Sequence, residues 1–498
     1  MRHTAFAVCL FYANQDTFLA KIDVDLFFVL WYNNDEPIHQ KIKEVFLLMI
    51  LKRTLALIAV LAIAVSAAAC NGNDKGDGGS GAGGNGSVET LNMEEYILDS
   101  DAMLATMPEE LKGTTIEFLS WYDPDEHEEK DVIDAFEQKT GITVTYRVVD
   151  YQGYVETVAG LLTVGETPDV MRVKTADISY LKLAQPIKEA TGYDFSDKVW
   201  DKQTMDMYSV NGKCYGTNLV YTPYFLPTLL FYNTKTMEEM GFEDPYELWK
   251  QGKWTWEKLK EMCTTWVNQG TEYTGANLWG TAWAATANDA DFVKYDGSKF
   301  ELDLNNQLAL DKWKWVQEGV KNNLFTNLND GFDQAQQKLL FATMSASNVQ
   351  MSTDYFSNTR RREQLACVAY PVWEDQEYAL PFTEHLAFCV PKGAKNAKAV
   401  PYFLGYICNF ANYNQGVGEG GFFYSEQAKE CYMELLTISN RARTAGNMVF
   451  AYGGAITDSY WQMYFKVDPT QLQSWLQENE YVFQDSVNLY NADLAKLG

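Results

Sequence analysis

Two histidines, His127 and His385, lie beyond Cys70, so imidazole-based acid–base or nucleophilic chemistry has few forms available. His127-Glu128-Glu129-Lys130-Asp131 opens like the zinc-protease helix motif but has Asp131 where the second histidine is required; it reads as the exposed, acidic first turn of a helix. No Gly-x-Ser-x-Gly elbow or phosphate loop occurs. Gly81-x-Gly83-x-x-Gly86 spells a dinucleotide fingerprint, but no strand precedes it and no helix follows. Asp123, Asp125, Glu126 and Glu128 offer calcium-type oxygens without EF-hand spacing, and the 8 cysteines form no C-x-x-C pair. Neither a metal nor a cofactor is implied. What remains is 67 carboxylates and an aromatic content of 14%. An Asp/Glu pair could cleave glycosides, but the barrel typical of such enzymes needs eight strand–helix units, and this chain has a long helical middle.

The elements that would position these groups begin at Thr114. Thr115 to Trp121 reads as a strand, and Asp123 to Thr140 as a helix with Val132, Ile133 and Phe136 on one face and Gly141 as its stop. Ile142, Val144, Tyr146 and Val148 alternate as a second strand, Tyr154, Val158, Leu161 and Leu162 mark a second helix, and Pro168 to Val173 is a third strand. This β-α-β-α-β order implies an open parallel sheet in an α/β fold. Ligands bind beyond the carboxyl ends of such strands, so Trp121 and Tyr122 are placed to meet one. Trp256 to Trp266 and Leu308 to Val320 read as helices, Leu365 to Tyr370 and Leu386 to Val390 as strands, and helices resume from Ala399.

A net charge of -27 repels nucleic acid and anionic lipid headgroups. The run from Met49 to Cys70 has a secretory layout: Lys52-Arg53, an apolar stretch short for a membrane span, then Ser66-Ala-Ala-Ala-Cys70. It resembles a bacterial lipobox, with Cys70 as the lipidated first mature residue, although Ala67 stands where that motif usually has leucine. Residues 1–48 lack a signal's layout, so Met49 is expected to be the initiator and 1–48 a mis-annotated extension. Residues 49–69 are then the signal peptide, and 70–113 a flexible glycine-rich tether and lead-in. Most body cysteines sit in apolar runs and read as buried free thiols.

Phe136-Glu-Gln-Lys-Thr-Gly-Ile142-Thr-Val144, Gly165-Glu-Thr-Pro-Asp169-Val, Asn211-Gly-Lys-Cys-Tyr-Gly216, Leu230 to Gly241 and Gly252-Lys-Trp-Thr-Trp256 follow one another in order. With Ala342-Thr-Met344, these words resemble extracellular solute-binding protein family 1, the sugar-type binding proteins of ABC importers. The resemblance covers nearly all of 114–498. It implies a type II periplasmic-binding-protein fold, two α/β lobes with a hinge and an interlobe cleft. It also implies capture of a carbohydrate-type solute, delivery to ABC permease subunits, and no enzymatic activity. Lobe 1 is expected from 114–221 with 343–395, and lobe 2 from 222–342 with 396–498. A lipid-anchored monomer on the extracellular face of the membrane is expected. The alternatives are a secreted carbohydrate-active enzyme and a same-fold receptor for a peptide that feeds a sensor.

Sugars present flat C–H faces and many hydroxyls, so their sites need aromatic planes and hydrogen-bonding side chains. Trp121, Tyr122, Trp279 and Trp283 are the stacking candidates, the last two in sequence unsuited to a helix interior. Asp123, Asp289 and Glu384 are candidates for hydroxyl recognition. Asp169 is included, although in a Pro-Asp-Val word the aspartate more often positions a strand-end loop. Tyr221 and Tyr224 lie at the expected first crossing between lobes, Ser347 and Asn348 follow the Ala-x-Met word, and Tyr452 completes the set.

Overall fold

The computed structural model describes residues 92–126, 129–150, 153–174, 178–277, 285, 292–326, 338–346, 364–374, 383–418, 420–439, 459, 462–463 and 466–497. The chain divides into two units, Met1–Asn85 and Gly86–Gly498, and every described residue belongs to the second. Cys70, Trp279, Trp283, Asp289, Ser347, Asn348 and Tyr452 lie outside the described residues.

The fold starts earlier than the glycine-rich composition suggests. Helix α1 (Ser100–Ala105) is capped by Asp99, whose side chain accepts from the Ala102 N–H at 2.9 Å. It buries Met103 against α7 (Val400–Ile407), where a Cβ on Gly405 would run into Met103 Sδ. Ser100 Oγ donates to Gly405 O at 3.1 Å, and Asn409 Nδ2 reaches Leu98 O at 2.7 Å. Residues 92–113, the later part of the expected tether and lead-in, therefore carry ordered elements.

Strand β1 (Thr115–Ser120) is followed by α2 (Glu129–Thr140), β2 (Thr143–Val148), α3 (Tyr154–Val164) and β3 (Val170–Lys174). Val132, Ile133 and Phe136 form the buried face of α2. Gly165, with φ of 77°, ends α3 by a left-handed cap that an L side chain adopts only with strain. β1 lies between β2 and β3, parallel to both. After α4 (Ile178–Leu183) comes the long strand β4 (Phe225–Asn233), then α5 (Trp256–Val267), β5 (Tyr273–Asn277), α6 (Gln307–Lys321), β6 (Phe325–Thr326) and β7 (Lys338–Ser345). β8 (Leu365–Val368), β9 (Thr383–Pro391), α7, α8 (Glu426–Ser439) and α9 (Glu480–Leu494) complete the set used below.

The main sheet runs β6-β5-β7-β4-β9-β3-β1-β2, with β8 also paired to β4. Its two halves share one short antiparallel ladder, in which Thr383, Glu384 and His385 of β9 pair with Pro227, Leu226 and Phe225 of β4. Beyond it the strands part. β4 continues between β7 and β8, while β9 continues along β3. Ile116 and Phe118 of β1 pack with Phe136, Phe388 and Phe403 in one core; Leu119, Met171 and Val173 face a second core that extends through Leu229 to Tyr232 and Trp254, Trp256 and Trp313. Val170 to Val173 of β3 are all fully buried, so this strand is covered on both faces.

Strand pairing redraws the expected lobe boundaries. Residues 343–345 and 365–368, placed with the first lobe, pair with β4 in the second half of the sheet. Residues 400–407, placed with the second lobe, form α7 on the first half, where Phe403 packs edge-on to Phe136 with ring centres 5.5 Å apart. The passage between halves lies at the start of β9, about 40 residues later than the resemblance placed it, because hydrogen-bond register decides membership and no local pattern reports it.

Candidate functional site

The carboxyl end of β1 carries the first group of candidates. Trp121, Tyr122 and Asp123 are all half-buried. The Trp121 ring stands edge-on to Tyr154 of α3 at 5.5 Å and to Tyr122 at 6.5 Å. Tyr122 N–H donates to Ser120 Oγ at 3.3 Å, and Asp123 Oδ1 accepts from Asp125 N–H at 3.0 Å, a local turn that ends the strand. Together they place an aromatic pair and a carboxylate at one strand end.

Beneath that pair lies a buried polar cluster. Arg172 of β3 is 0% exposed, and its NH2 donates to Glu129 Oε1 at 2.6 Å. The Tyr224 hydroxyl donates to the same oxygen and lies 3.3 Å from the Tyr413 hydroxyl. The Arg172 guanidinium carbon sits 4.0 Å from the centre of the Tyr122 ring and 4.9 Å from that of Tyr224. Burial pushes the Glu129 carboxyl up, to about 8, with the Tyr224 hydrogen bond pulling the other way. Burial lowers the Arg172 pKa and raises that of the Tyr224 phenol, in each case by penalising the charged form. Glu129, read from the sequence as part of an exposed acidic turn, is 4% exposed. Its burial follows from its place as the first residue of α2, facing β3 rather than solvent.

Tyr221 and Tyr224 lie in the segment that leads into β4, and both are buried. Tyr221 donates to Gln415 Oε1 at 2.6 Å, and Asn218 Nδ2 to Leu386 O at 2.7 Å. Tyr432 of α8 donates to Thr222 O at 3.0 Å. The crossing is thus held to β9, to the 410–415 segment and to α8. Glu384 lies in the shared ladder, opposite Leu226.

Asp169 stands apart. Its Oδ1 accepts from the backbone N–H groups of Lys395 and Asn396 at 3.0 and 2.7 Å, and its Oδ2 from the Glu117 N–H at 3.1 Å and Asn396 Nδ2 at 3.3 Å. It lies level with Glu117, four residues before Trp121 along β1, or about 13 Å at a strand's rise per residue. The structure does not bring it to the aromatic pair.

Three residues escaped the sequence reading. Arg172 and Glu129 are 43 positions apart, and each alone reads as a surface charge. Trp373, half-buried, follows β8, which runs antiparallel to β4 toward the shared ladder. It packs against Trp256 and Trp315 with centres 5.8 and 5.1 Å apart and donates from Nε1 to Ala285 O at 2.9 Å. The strand-end rule that selected Trp121 would have found it. Among the described residues no three metal-ligating side chains come together, and no helix is long and apolar enough to cross a membrane. The six described cysteines carry free thiols.

The family described as bacterial extracellular solute-binding protein matches residues 131–423. No curated protein sequence matches the chain. Solved structures do. The galacto-N-biose/lacto-N-biose I-binding protein of an ABC transporter from Bifidobacterium longum, in complex with lacto-N-biose, is 13% identical; the match covers 75% of this chain and 98% of that one, with a TM-score of 0.56. An extracellular solute-binding protein from Staphylococcus aureus in complex with maltose is 14% identical over 76% of this chain and 99% of that one, with a TM-score of 0.55. UgpB from Mycobacterium tuberculosis, in complex with glycerophosphocholine, is 16% identical over 75% and 99%, with a TM-score of 0.51. At these identities the likeness is one of fold, an α/β architecture of the periplasmic-binding-protein kind.

Proposed function

The chain belongs to the bacterial extracellular solute-binding proteins, and we propose that it captures a carbohydrate-type solute between the two halves of its sheet for delivery to ABC permease subunits. The observation that carries this reading is the half-buried Trp121–Tyr122 pair at the carboxyl end of β1, with Asp123 beside it. Aromatic faces stack on sugar C–H faces and a carboxylate accepts from paired hydroxyls. Trp373, which follows β8 in the other half, is a further proposed aromatic contact. Two fold relatives named above hold disaccharides, which favours this class over the phosphodiester held by the third. Trp279, Trp283, Asp289, Ser347, Asn348, Glu384 and Tyr452 remain proposed contacts, and closure of the halves on the ligand is the proposed working motion. We further propose a lipid anchor at Cys70, initiation at Met49, a monomeric state and no catalytic step.

A thermal-shift screen of the purified chain against mono- and oligosaccharides tests the reading, because a ligand that binds the folded state raises apparent stability by mass action. A sugar present at about 100 times its Kd should stabilise by about 2.7 kcal/mol. Cleavage of an oligosaccharide with no shift by any sugar would overturn it.

A further inference from the structure

Arg172 stands in β3 between two fully buried residues, Met171 and Val173, and is itself fully buried. A chain of contacts passes through it. The Tyr122 ring lies 4.0 Å from the guanidinium, Glu129 accepts from NH2, Tyr224 donates to the same carboxylate oxygen, and Tyr413, 3.3 Å from Tyr224, donates to Ile407 O at 2.8 Å. The strand-end aromatic pair, the first turn of α2, the segment entering β4 and the segment leaving α7 are thereby joined at one buried point. As a source of stability the point is poor. Nε and NH1 of Arg172 and Oε2 of Glu129 have no hydrogen-bond partner. A buried pair so incompletely satisfied contributes no more than apolar side chains of similar volume would, and often less. Local rules are broken in this way chiefly where function needs a fixed geometry.

We propose that Arg172 is a positioning residue of the capture site: held at its edge by Glu129, its guanidinium fixes the Tyr122 ring as a rigid floor for a sugar face and ties that floor to Tyr224, where the chain passes into β4. The inference deepens the carbohydrate reading and rests on it. A planar guanidinium can lie flat on an aromatic face while donating hydrogen bonds at its rim, whereas an ammonium is a point charge with no plane to stack. A ring held in place before the ligand arrives needs no ordering on binding, so its immobilisation adds to affinity without adding a contact. Because Tyr224 shares the Glu129 oxygen, a ligand pressing on Tyr122 also bears on the crossing between halves.

The decisive variant is the double substitution Arg172→Met with Glu129→Leu, made in the full chain so that neither partner is left buried alone. Its melting temperature should equal or exceed the parent's, since apolar replacement of a buried pair is often neutral or stabilising. Calorimetric titration with maltose, lacto-N-biose and xylo-oligosaccharides should show the affinity of whichever sugar binds the parent falling by about tenfold or more. Without ligand, amide hydrogen exchange over residues 121–123 should quicken, and Arg172→Lys should fall between parent and double variant in both measurements. Unchanged sugar affinity, or unchanged exchange at 121–123, would overturn the positioning role. If the double variant does not fold, Arg172→Lys and Glu129→Gln carry the same two comparisons. If the parent binds none of these sugars, the carbohydrate reading fails, while the exchange measurement still decides the role of Arg172.

Discussion

Two buried carboxylates bracket the β1–β3 pair, one toward each end, and they are built in opposite ways. Asp169, level with Glu117, accepts four hydrogen bonds, three of them from backbone N–H groups, and joins β1 to the turn after β9. Glu129, beneath the aromatic pair that follows β1, leaves one oxygen unpaired, and its partner Arg172 leaves two nitrogens unpaired. The first is a fully satisfied joint, which rigidifies; the second is a partly satisfied one, which costs stability. In an α/β sheet the ligand end lies beyond the carboxyl ends of the strands. The satisfied joint is at the other end, and the unsatisfied one is where a ligand would arrive. The contrast teaches that burial of a charge does not by itself mark a structural role; the count of its hydrogen bonds and its place along the strand do.

The largest effect should come from the satisfied joint. Asp169→Ala strands the N–H groups of Glu117, Lys395 and Asn396 without their acceptor, each at about 1–3 kcal/mol. We expect urea denaturation to show a loss of about 4 kcal/mol, with the sugar affinity of the folded protein unchanged. A loss under about 1 kcal/mol would erase the distinction between the two joints.

A smaller effect on stability, and a larger one on binding, should follow at the other end. Trp121 is half-buried, so Trp121→Ala should cost about 1–2 kcal/mol of stability. Calorimetry should show sugar affinity falling by about tenfold or more, as for an aromatic anchor. If Trp121→Ala instead unfolds the protein while binding by its folded fraction persists, the ring belongs to the core and the comparison breaks at its ligand end.

How far the sequence carried depended on whether the deciding contact was local. β1, α2, β2, α3 and β3 were legible because Val132, Ile133 and Phe136, or Ile142 and Val144, repeat at the period of the element they build. The hidden parts are long-range. Residues 92–113 are acidic and show no clear period, and their order comes from Met103 meeting Gly405 some 300 positions later. The membership of β7 and β8 was settled by register with β4, which no single segment reveals. The site was half legible. Trp121 and Tyr122 were found by the strand-end rule, while Arg172 and Glu129 were passed over because an isolated charge reads as solvated until its partner is known.

A pH dependence should be confined to the unsatisfied joint. Burial raises the Glu129 carboxyl from 4.5 to about 8. Below pH 4.5 the folded and unfolded chains both hold this proton, and the group's contribution to stability is fully present. Between 4.5 and 8 the folded chain retains the proton and the unfolded chain releases it, so folding takes up a proton and stability declines as pH rises. Above 8 both forms are ionised and the slope vanishes. The hydrogen bond from Tyr224 favours the ionised form and opposes burial, but burial dominates and sets the sign of the slope. Glu129→Gln removes the titration, and the difference between parent and variant isolates it from the other acidic groups. We expect that difference in unfolding free energy, parent minus variant, to fall steadily from pH 5 to pH 8. A difference that rises over the same range would mean that the Arg172 contact outweighs burial, and the joint would then be stabilising, as the Asp169 node is.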